Sequence, residues 1–330
     1  MEAHGGGCTG IGYTYGDPAT GMLVRKTLAS LVEGRDALDV RATTDVLRRA
    51  CRNLGRPGVA AMAIAAVDTA LWDLKARLLD LPLVRLLDRT RDGVLVYGSG
   101  GFTSLTDREL AGQLGGWSGA GIPRVKMKVG RDPGRDPGRV AVARAAVGGD
   151  CELYVDANGA FDGRRALALD LADRFASEHG VTWFEEPVSS DDLVGLHFIR
   201  EHAPAGMEIA AGEYGYTTAS FVELLDAEAV DCLQADVTRC EGITGFLEVA
   251  ALCEARHVSL SAHCAPALHL HVCCAAPTLR HLEWFHDHVR IERLLFDGVI
   301  EPVDGVLRPD LTRPGNGLEL KHQEVERYAS

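Results

Sequence analysis

Residues 152–187 read ELYVDANGAFDGRRALALDLADRFASEHGVTWFEEP. Two β-rich runs, Glu152–Asp156 and Thr182–Glu185, each end on a carboxylate. Between them, Arg164–Glu178 has the Ala, Leu, Arg and Glu composition of a crossover helix. This is one strand–helix–strand unit of a parallel sheet, in which buried strands are apolar and their C-terminal ends open onto a site.

The same unit repeats on both sides. The strand candidates in order are Val94–Tyr97, Arg124–Val129, Glu152–Asp156, Thr182–Glu185, Glu208–Glu213, Cys232–Asp236, Val258–His263 and His281–Trp284. Helical patterns such as Arg164–Glu178, Ser220–Asp226 and Thr244–Ala255 separate them. Eight such units predict a closed (β/α)8-type (TIM) barrel, an α/β fold, over residues 93–290. Residues 1–92 differ: a Gly-rich start, Gly10-Ile-Gly-Tyr-Thr-Tyr-Gly16, precedes a helical pattern over Val59–Arg77. They predict a smaller α+β capping domain. Residues 291–330, rich in Gly and Pro beyond Leu295 and without a clear helix, are expected to pack back on that domain. The tandem Arg131-Asp-Pro-Gly and Arg135-Asp-Pro-Gly reads as a surface loop.

Composition narrows the class. Charged residues make up 25% and apolar ones 46% of 330 residues, the mix of a folded water-soluble chain. A net charge of −13 disfavours nucleic acid and anionic membrane surfaces as partners. Nine cysteines without a C-x-x-C pair, Cys273 and Cys274 being adjacent, suggest neither a disulfide framework nor a zinc ribbon. With no signal peptide in Met1–Gly10 and no span of membrane length, the expected compartment is cytoplasmic.

The chemistry sits at the strand ends. Asp156, Glu185 and Glu213 close three successive strands, 29 and 28 residues apart, so they converge at one barrel mouth. Three carboxylates that close repel one another unless a cation neutralises them, and an all-oxygen set suits Mg²⁺. One unit earlier, Lys126 and Lys128 share the interior face and Met127 points outward. Neighbouring ammonium groups lower each other's pKa, so one can act as a base. Asp236 and His263 end the next two strands, an arrangement in which a carboxylate fixes the imidazole tautomer and frees the other nitrogen for a proton. Glu283, on the eighth strand, could stabilise a developing oxyanion if protonated or bonded to the substrate oxygen. His269, His271, His281, His286 and His288 read as solvated or hydrogen-bonded rather than as a second metal site.

The order Lys126-x-Lys128, Asp156-Ala-Asn158, Glu185-Glu-Pro187, Gly212-Glu213, Asp236, His263, Glu283 resembles the mandelate racemase subgroup of the enolase superfamily over nearly the whole chain. The resemblance implies that Asp156, Glu185 and Glu213 hold Mg²⁺, with Lys128 and His263 as bases on opposite faces of the substrate. It further implies that Asp236 orients His263, that Glu283 bonds an enediolate and that Lys126 lies against the substrate carboxylate. The muconate-lactonising branch would place a lysine on a neighbouring strand instead of His263, which this chain lacks. Family members open with two strands and a mobile capping loop before a strand resembling Gly10–Tyr15. The cap is therefore expected to be N-terminally truncated, by a late-assigned start or by a shortened domain.

The resemblance implies an enzyme that removes the proton alpha to a carboxylate of a small-molecule acid. Dehydration of a sugar acid to a 2-keto-3-deoxy acid is the first expectation, and racemisation or epimerisation of a 2-hydroxy acid the second. A capless, non-catalytic binding subunit is the alternative from another class. The family commonly assembles, so a homo-oligomer is expected.

Overall fold

The structure, a computed structural model, describes residues 1–328. Eight parallel strands form the barrel: β3 (Val94–Gly100), β4 (Arg124–Lys128), β5 (Glu152–Asp156), β6 (Val181–Glu185), β7 (Glu208–Ala211), β8 (Cys232–Ala235), β9 (Ser259–Ala262) and β10 (Leu279–Phe285). They pair in chain order and β10 closes onto β3. All eight lie where the sequence predicts them, although β7, β8 and β9 end before the polar residues assigned to their last positions. After β7 the reason is local: Gly212 has φ 129°, and a Cβ there would collide with the backbone of Gln234.

Crossover helices start and stop at recognisable signals. Thr106 and Glu109 form a capping box at the head of helix Asp107–Gly119. Gly180, at φ 62°, ends helix Arg165–His179 and turns the chain directly into β6. The second Asp-Pro-Gly of the tandem motif is not loop: Asp136 and Pro137 begin helix Asp136–Val147, and the Asp136 carboxylate accepts a hydrogen bond from the Gly130 amide at 2.7 Å. Proline suits the first turn of a helix because its fixed φ is already helical and no donor is lost there.

Strand alternation fills the barrel with layers. Below the mouth, Tyr97, Tyr154 and Trp183 are wholly buried, the last two stacked with centroids 5.3 Å apart. Two residues further along the same strands stand Ser99, Asp156 and Glu185. An aromatic floor thus supports a polar ceiling.

The N-terminal unit has two strands where the sequence predicted one over Gly10–Tyr15. β1 (Glu2–Gly5) and β2 (Cys8–Ile11) form an antiparallel hairpin turned by Gly6 and Gly7, both at positive φ. The hairpin lies on helix Val59–Leu78, which is buried on nearly every side. Contact is close enough that a Cβ on Gly10 or Gly12 would overlap the backbone of Ala70 or Ala66. Two aspartates inside that helix serve as junctions. Asp68 accepts from Thr44 Oγ1 (2.5 Å), Thr244 Oγ1 (2.6 Å) and the Thr244 amide (2.9 Å), tying the helix to barrel helix Gly242–Arg256. Asp73 accepts from the amides of Ile11 (2.7 Å) and Asn316 (2.6 Å), joining the hairpin, the helix and the C-terminal segment. That segment also runs Val306–Leu307 antiparallel to the start of β3, and it carries a helix, His322–Tyr328, where none was expected. Its seven polar-rich residues show no buried position, so no apolar stripe marks it. Among the described residues, no helix is long and apolar enough to cross a membrane, and all nine cysteines are free.

Candidate active site

β4, β5 and β6 run side by side in register, Lys128 opposite Asp156 and Asp156 opposite Glu185. Glu213 follows the bend at Gly212 and turns back toward them. Asp156, Glu185 and Glu213, all buried, bring one carboxylate oxygen each within 4.8 Å of the others. Trp183 holds Glu185 from below by donating its Nε1 hydrogen to Oε2 at 3.0 Å. The Asn158 amide donates to Asp156 Oδ1 at 2.9 Å. Burial, then the charge of Asp156, pushes Glu185 up. Buried oxygens of like charge, with no nitrogen or sulfur among them, are the donor set of a hard divalent cation.

Two lysines meet this cluster at different depths. Lys128 pairs with Asp156 and faces a cavity of about 550 Å³ at the mouth. Lys126 is only 1% exposed, and its ammonium pairs with Glu185, with Glu283 at 2.9 Å and with Asp156 at 3.4 Å. Side-by-side ammonium groups were expected to depress each other's pKa. Here burial is the largest single influence and opposes the charge on each lysine, but the surrounding acidic groups together outweigh it, Asp156 foremost at Lys128 and Glu185 then Glu283 at Lys126; both are raised. Burial also works against the Glu283 carboxylate, yet Lys126 and then His263 hold it well below the usual range. Glu283 is therefore ionised in this arrangement rather than protonated.

On the far side of the cluster, His263 follows β9 and its amide donates to the Ala235 carbonyl at 2.9 Å, extending the ladder. Nδ1 lies 2.9 Å from Asp236 Oδ2. Nε2 faces Glu213 Oε2 at 3.0 Å and the cavity. Asp236 is anchored in turn by the Thr238 amide and hydroxyl, both at 2.7 Å from Oδ1, and His263 keeps its carboxyl low despite burial. The chain leaves His263 through Cys264 and Ala265, at φ 55° and 38°, and the Cys264 amide donates to Glu283 Oε2 at 2.9 Å. Consecutive left-handed residues that are not glycine cost energy and are held by their surroundings.

All eight residues singled out from the sequence thus meet at one mouth. The other histidines do not join them as a second cluster. His269 accepts from the Val237 amide and His271 from the Val84 amide, and His281 bonds Ser261; burial keeps all three from charging. His288 accepts from the Ala265 amide and stacks on Tyr15 with centroids 3.4 Å apart. Several mouth residues escaped the sequence reading. Arg239 lies 3.6 Å from Asp236, bonds the Glu213 carbonyl at 2.9 Å and stacks over Tyr214. Arg131, Phe102 and Phe285 also line the wall, beside Asn158 of the Asp156-Ala-Asn158 motif. An arginine three positions after a strand-end aspartate was the available signal for Arg239.

The N-terminal unit reaches this mouth through Tyr13, Thr14 and Tyr15. The Tyr13 hydroxyl donates to Glu292 Oε1 at 2.7 Å, and Thr14 Oγ1 donates to the Thr238 carbonyl at 2.8 Å. Burial pushes Glu292 up to about 8 from its ordinary 4.5, against the pull of the Tyr13 hydroxyl and the Ala267 amide. The folded protein then keeps a proton that the unfolded chain releases. This contribution is complete below about pH 4.5 and is lost as the pH climbs to about 8. Urea unfolding of Glu292→Gln is expected to lack that part of the decline between pH 5 and 8 and to exceed wild type at the upper end; parallel stability curves would refute the assignment.

Known proteins resemble this chain over most of its length. Residues 3–88 match the family described as mandelate racemase / muconate lactonizing enzyme, N-terminal domain, and residues 109–325 the family described as enolase C-terminal domain-like. The chain is 33% identical, over 98% of its length and 88% of the relative's, to 3,6-anhydro-alpha-L-galactonate cycloisomerase of Streptomyces coelicolor. A crystal structure of a mandelate racemase/muconate lactonizing enzyme-like protein from Rubrobacter xylanophilus superposes with TM-score 0.97 at 57% identity, covering 100% of this chain and 90% of that one. L-talarate dehydratase from a Polaromonas species, complexed with Mg and L-glucarate, superposes with TM-score 0.87 at 34% identity, covering 97% and 85%.

Proposed function

Since the chain belongs to the enolase superfamily, in its mandelate racemase subgroup, we propose that it is a Mg²⁺-dependent enzyme that removes the proton alpha to the carboxylate of a sugar acid and expels the β-hydroxyl, giving a 2-keto-3-deoxy acid. The observation that carries this reading is the convergence of Asp156, Glu185 and Glu213 between Lys128 and His263.

Asp156, Glu185 and Glu213 would hold the cation. Magnesium, when bound, supplies Lewis-acid neutralisation of the negative charge that grows on the substrate carboxylate. Lys126, behind the ligands, adds a fixed positive charge beneath the same oxygens. Lys128 Nζ, at the cavity wall, takes the α-proton from one face once Asp156, whose charge raises its pKa, is engaged as a metal ligand. His263, oriented by Asp236, either gives a proton to the departing hydroxyl or takes the α-proton from the other face. Glu283, carried on β10 and bonded to Lys126, lies beside the developing enediolate. Arg131, Arg239 and Asn158 offer hydrogen-bond donors to a polyhydroxylated chain. The Polaromonas relative, whose structure holds Mg and L-glucarate, supports this substrate class.

The placement of Lys128 and His263 on two sides of the cluster favours a second reading, racemisation or epimerisation of a 2-hydroxy acid, because proton removal on one face and return on the other inverts the centre. One experiment separates the readings. The protein with Mg²⁺ is incubated in D₂O with a panel of sugar acids and 2-hydroxy acids. A 2-keto product from a sugar acid is the expected result. Inversion with α-deuterium incorporation and no keto product would favour the second reading. No exchange with any acid would point to a binding subunit.

A further inference from the structure

One side chain at the mouth takes no part in that chemistry. Cys264 is 3% exposed, and its Sγ lies 3.3 Å from His263 Nε2 and 3.3 Å from Glu283 Oε2, which are themselves 3.6 Å apart. The three atoms make a nearly equilateral triangle of one imidazole nitrogen, one thiol sulfur and one carboxylate oxygen. For tetrahedral zinc, with bonds of about 2.3 Å to sulfur and about 2.0–2.1 Å to nitrogen and oxygen, the ligand edges come to about 3.3–3.6 Å. The triangle lies close to this size, its two sulfur edges about 0.3 Å shorter and its nitrogen–oxygen edge about 0.3 Å longer than the tetrahedral ideal, a difference that small side-chain rotations close.

We propose that His263, Cys264 and Glu283 form a second cation site, specific for Zn²⁺, whose fourth position opens into the mouth cavity.

Each ligand is prepared for this on its rear side. Asp236 bonds Nδ1 of His263, the carboxylate–histidine pairing that supports metal-bound imidazoles, and so directs Nε2 toward the triangle, where it also faces Glu213 Oε2 at 3.0 Å. Lys126 occupies Oε1 of Glu283 and the Cys264 amide points at Oε2, so the carboxylate is fixed with Oε2 toward the triangle. The left-handed backbone at Cys264 and Ala265 turns the thiol back beside the preceding histidine. All three residues line the cavity, which supplies both an entry path and room for a water as fourth ligand. Softness separates this site from its neighbour. Asp156, Glu185 and Glu213 offer only oxygen, whereas a sulfur and a nitrogen select zinc over magnesium. On binding, the thiol gives its proton to solvent and the thiolate bonds the metal, with no change of oxidation state. On the proposed function, zinc here occupies the lone pair with which His263 accepts a proton, so the site is inhibitory.

The test uses the full chain saturated with Mg²⁺. Equilibrium dialysis against Zn²⁺ is expected to retain one zinc per chain, weakened roughly tenfold or more in Cys264→Ser and in Cys264→Ala. Co²⁺ as a probe should give a near-ultraviolet thiolate-to-metal charge-transfer band that disappears in both variants and persists in Cys8→Ser. These readouts need no turnover, so failure of the proposed reaction leaves them standing. Where turnover is measured, zinc should stop wild type and leave the residual rate of Cys264→Ser unchanged. Zinc bound equally by all variants, or a cobalt spectrum without a thiolate band, would overturn the proposal.

Discussion

Asp156→Asn is expected to abolish high-affinity Mg²⁺ binding and to lower turnover by about a thousandfold or more. The substitution is nearly isosteric, so its effect is electrostatic. Asp156 is the residue on which the cluster's pairings meet: Lys128 is bound to it, Lys126 approaches to 3.4 Å and Glu185 is its register partner across β5 and β6. Removing its charge takes one of three negative charges from the ligand set and leaves Lys128 beside an uncharged amide. Calorimetric Mg²⁺ titration and turnover should fall together, while circular dichroism stays that of a folded barrel, because Asn158 can still donate to the remaining side-chain carbonyl. A variant with unaltered Mg²⁺ affinity would remove Asp156 from the ligand set and with it the basis of the proposed chemistry.

Lys128→Ala and His263→Ala are expected to produce separable losses of about 10²–10⁴-fold, the usual range for a positioned acid or base. Lys128 reaches the cavity from β4, beside one end of the carboxylate arc, and His263 from the far end of β9. A substrate seated between them presents opposite faces. Lys128→Ala should therefore stop α-proton exchange in one stereochemical series, and His263→Ala in the other. If the net reaction is dehydration, His263→Ala should still exchange the α-proton at Lys128 while forming little keto acid. Both variants should keep Mg²⁺ binding, since neither belongs to the oxygen set. Equal turnover in both variants and wild type would eliminate the base assignments.

The barrel was legible because each parallel strand is a short apolar run that terminates on a polar residue, and that rhythm needs no knowledge of tertiary contact. The convergence of Asp156, Glu185 and Glu213 followed from the same rhythm. What the rhythm omits is pairing. Nothing in a Lys-x-Lys motif tells that Lys126 sinks beneath the carboxylates to meet Glu283 while Lys128 stays at the wall. His269, His271, His281 and His288 look alike in sequence, yet each finds a different backbone amide or hydroxyl. Hairpin β1–β2 escaped notice because its strands are four residues long and Gly-rich, and their stability comes from helix Val59–Leu78 rather than from their own alternation. Tyr13 and Glu292, 279 positions apart, form a contact that no local pattern announces.

The seams between the N-terminal unit and the barrel bear on how such chains can recombine. Thr244 meets Asp68, Thr238 meets Thr14 and Glu292 meets Tyr13, and Asn316 meets Asp73 from the opposite terminus. Each seam has one partner on either side of any crossover point placed between the two units. A chimera that imports a foreign cap leaves a hydroxyl, a carboxylate and an amide buried without their mates, each a loss of about 1–3 kcal/mol. The cap is thus not a cassette that can be exchanged alone: lineages that alter it must alter residues at both ends of the chain in step.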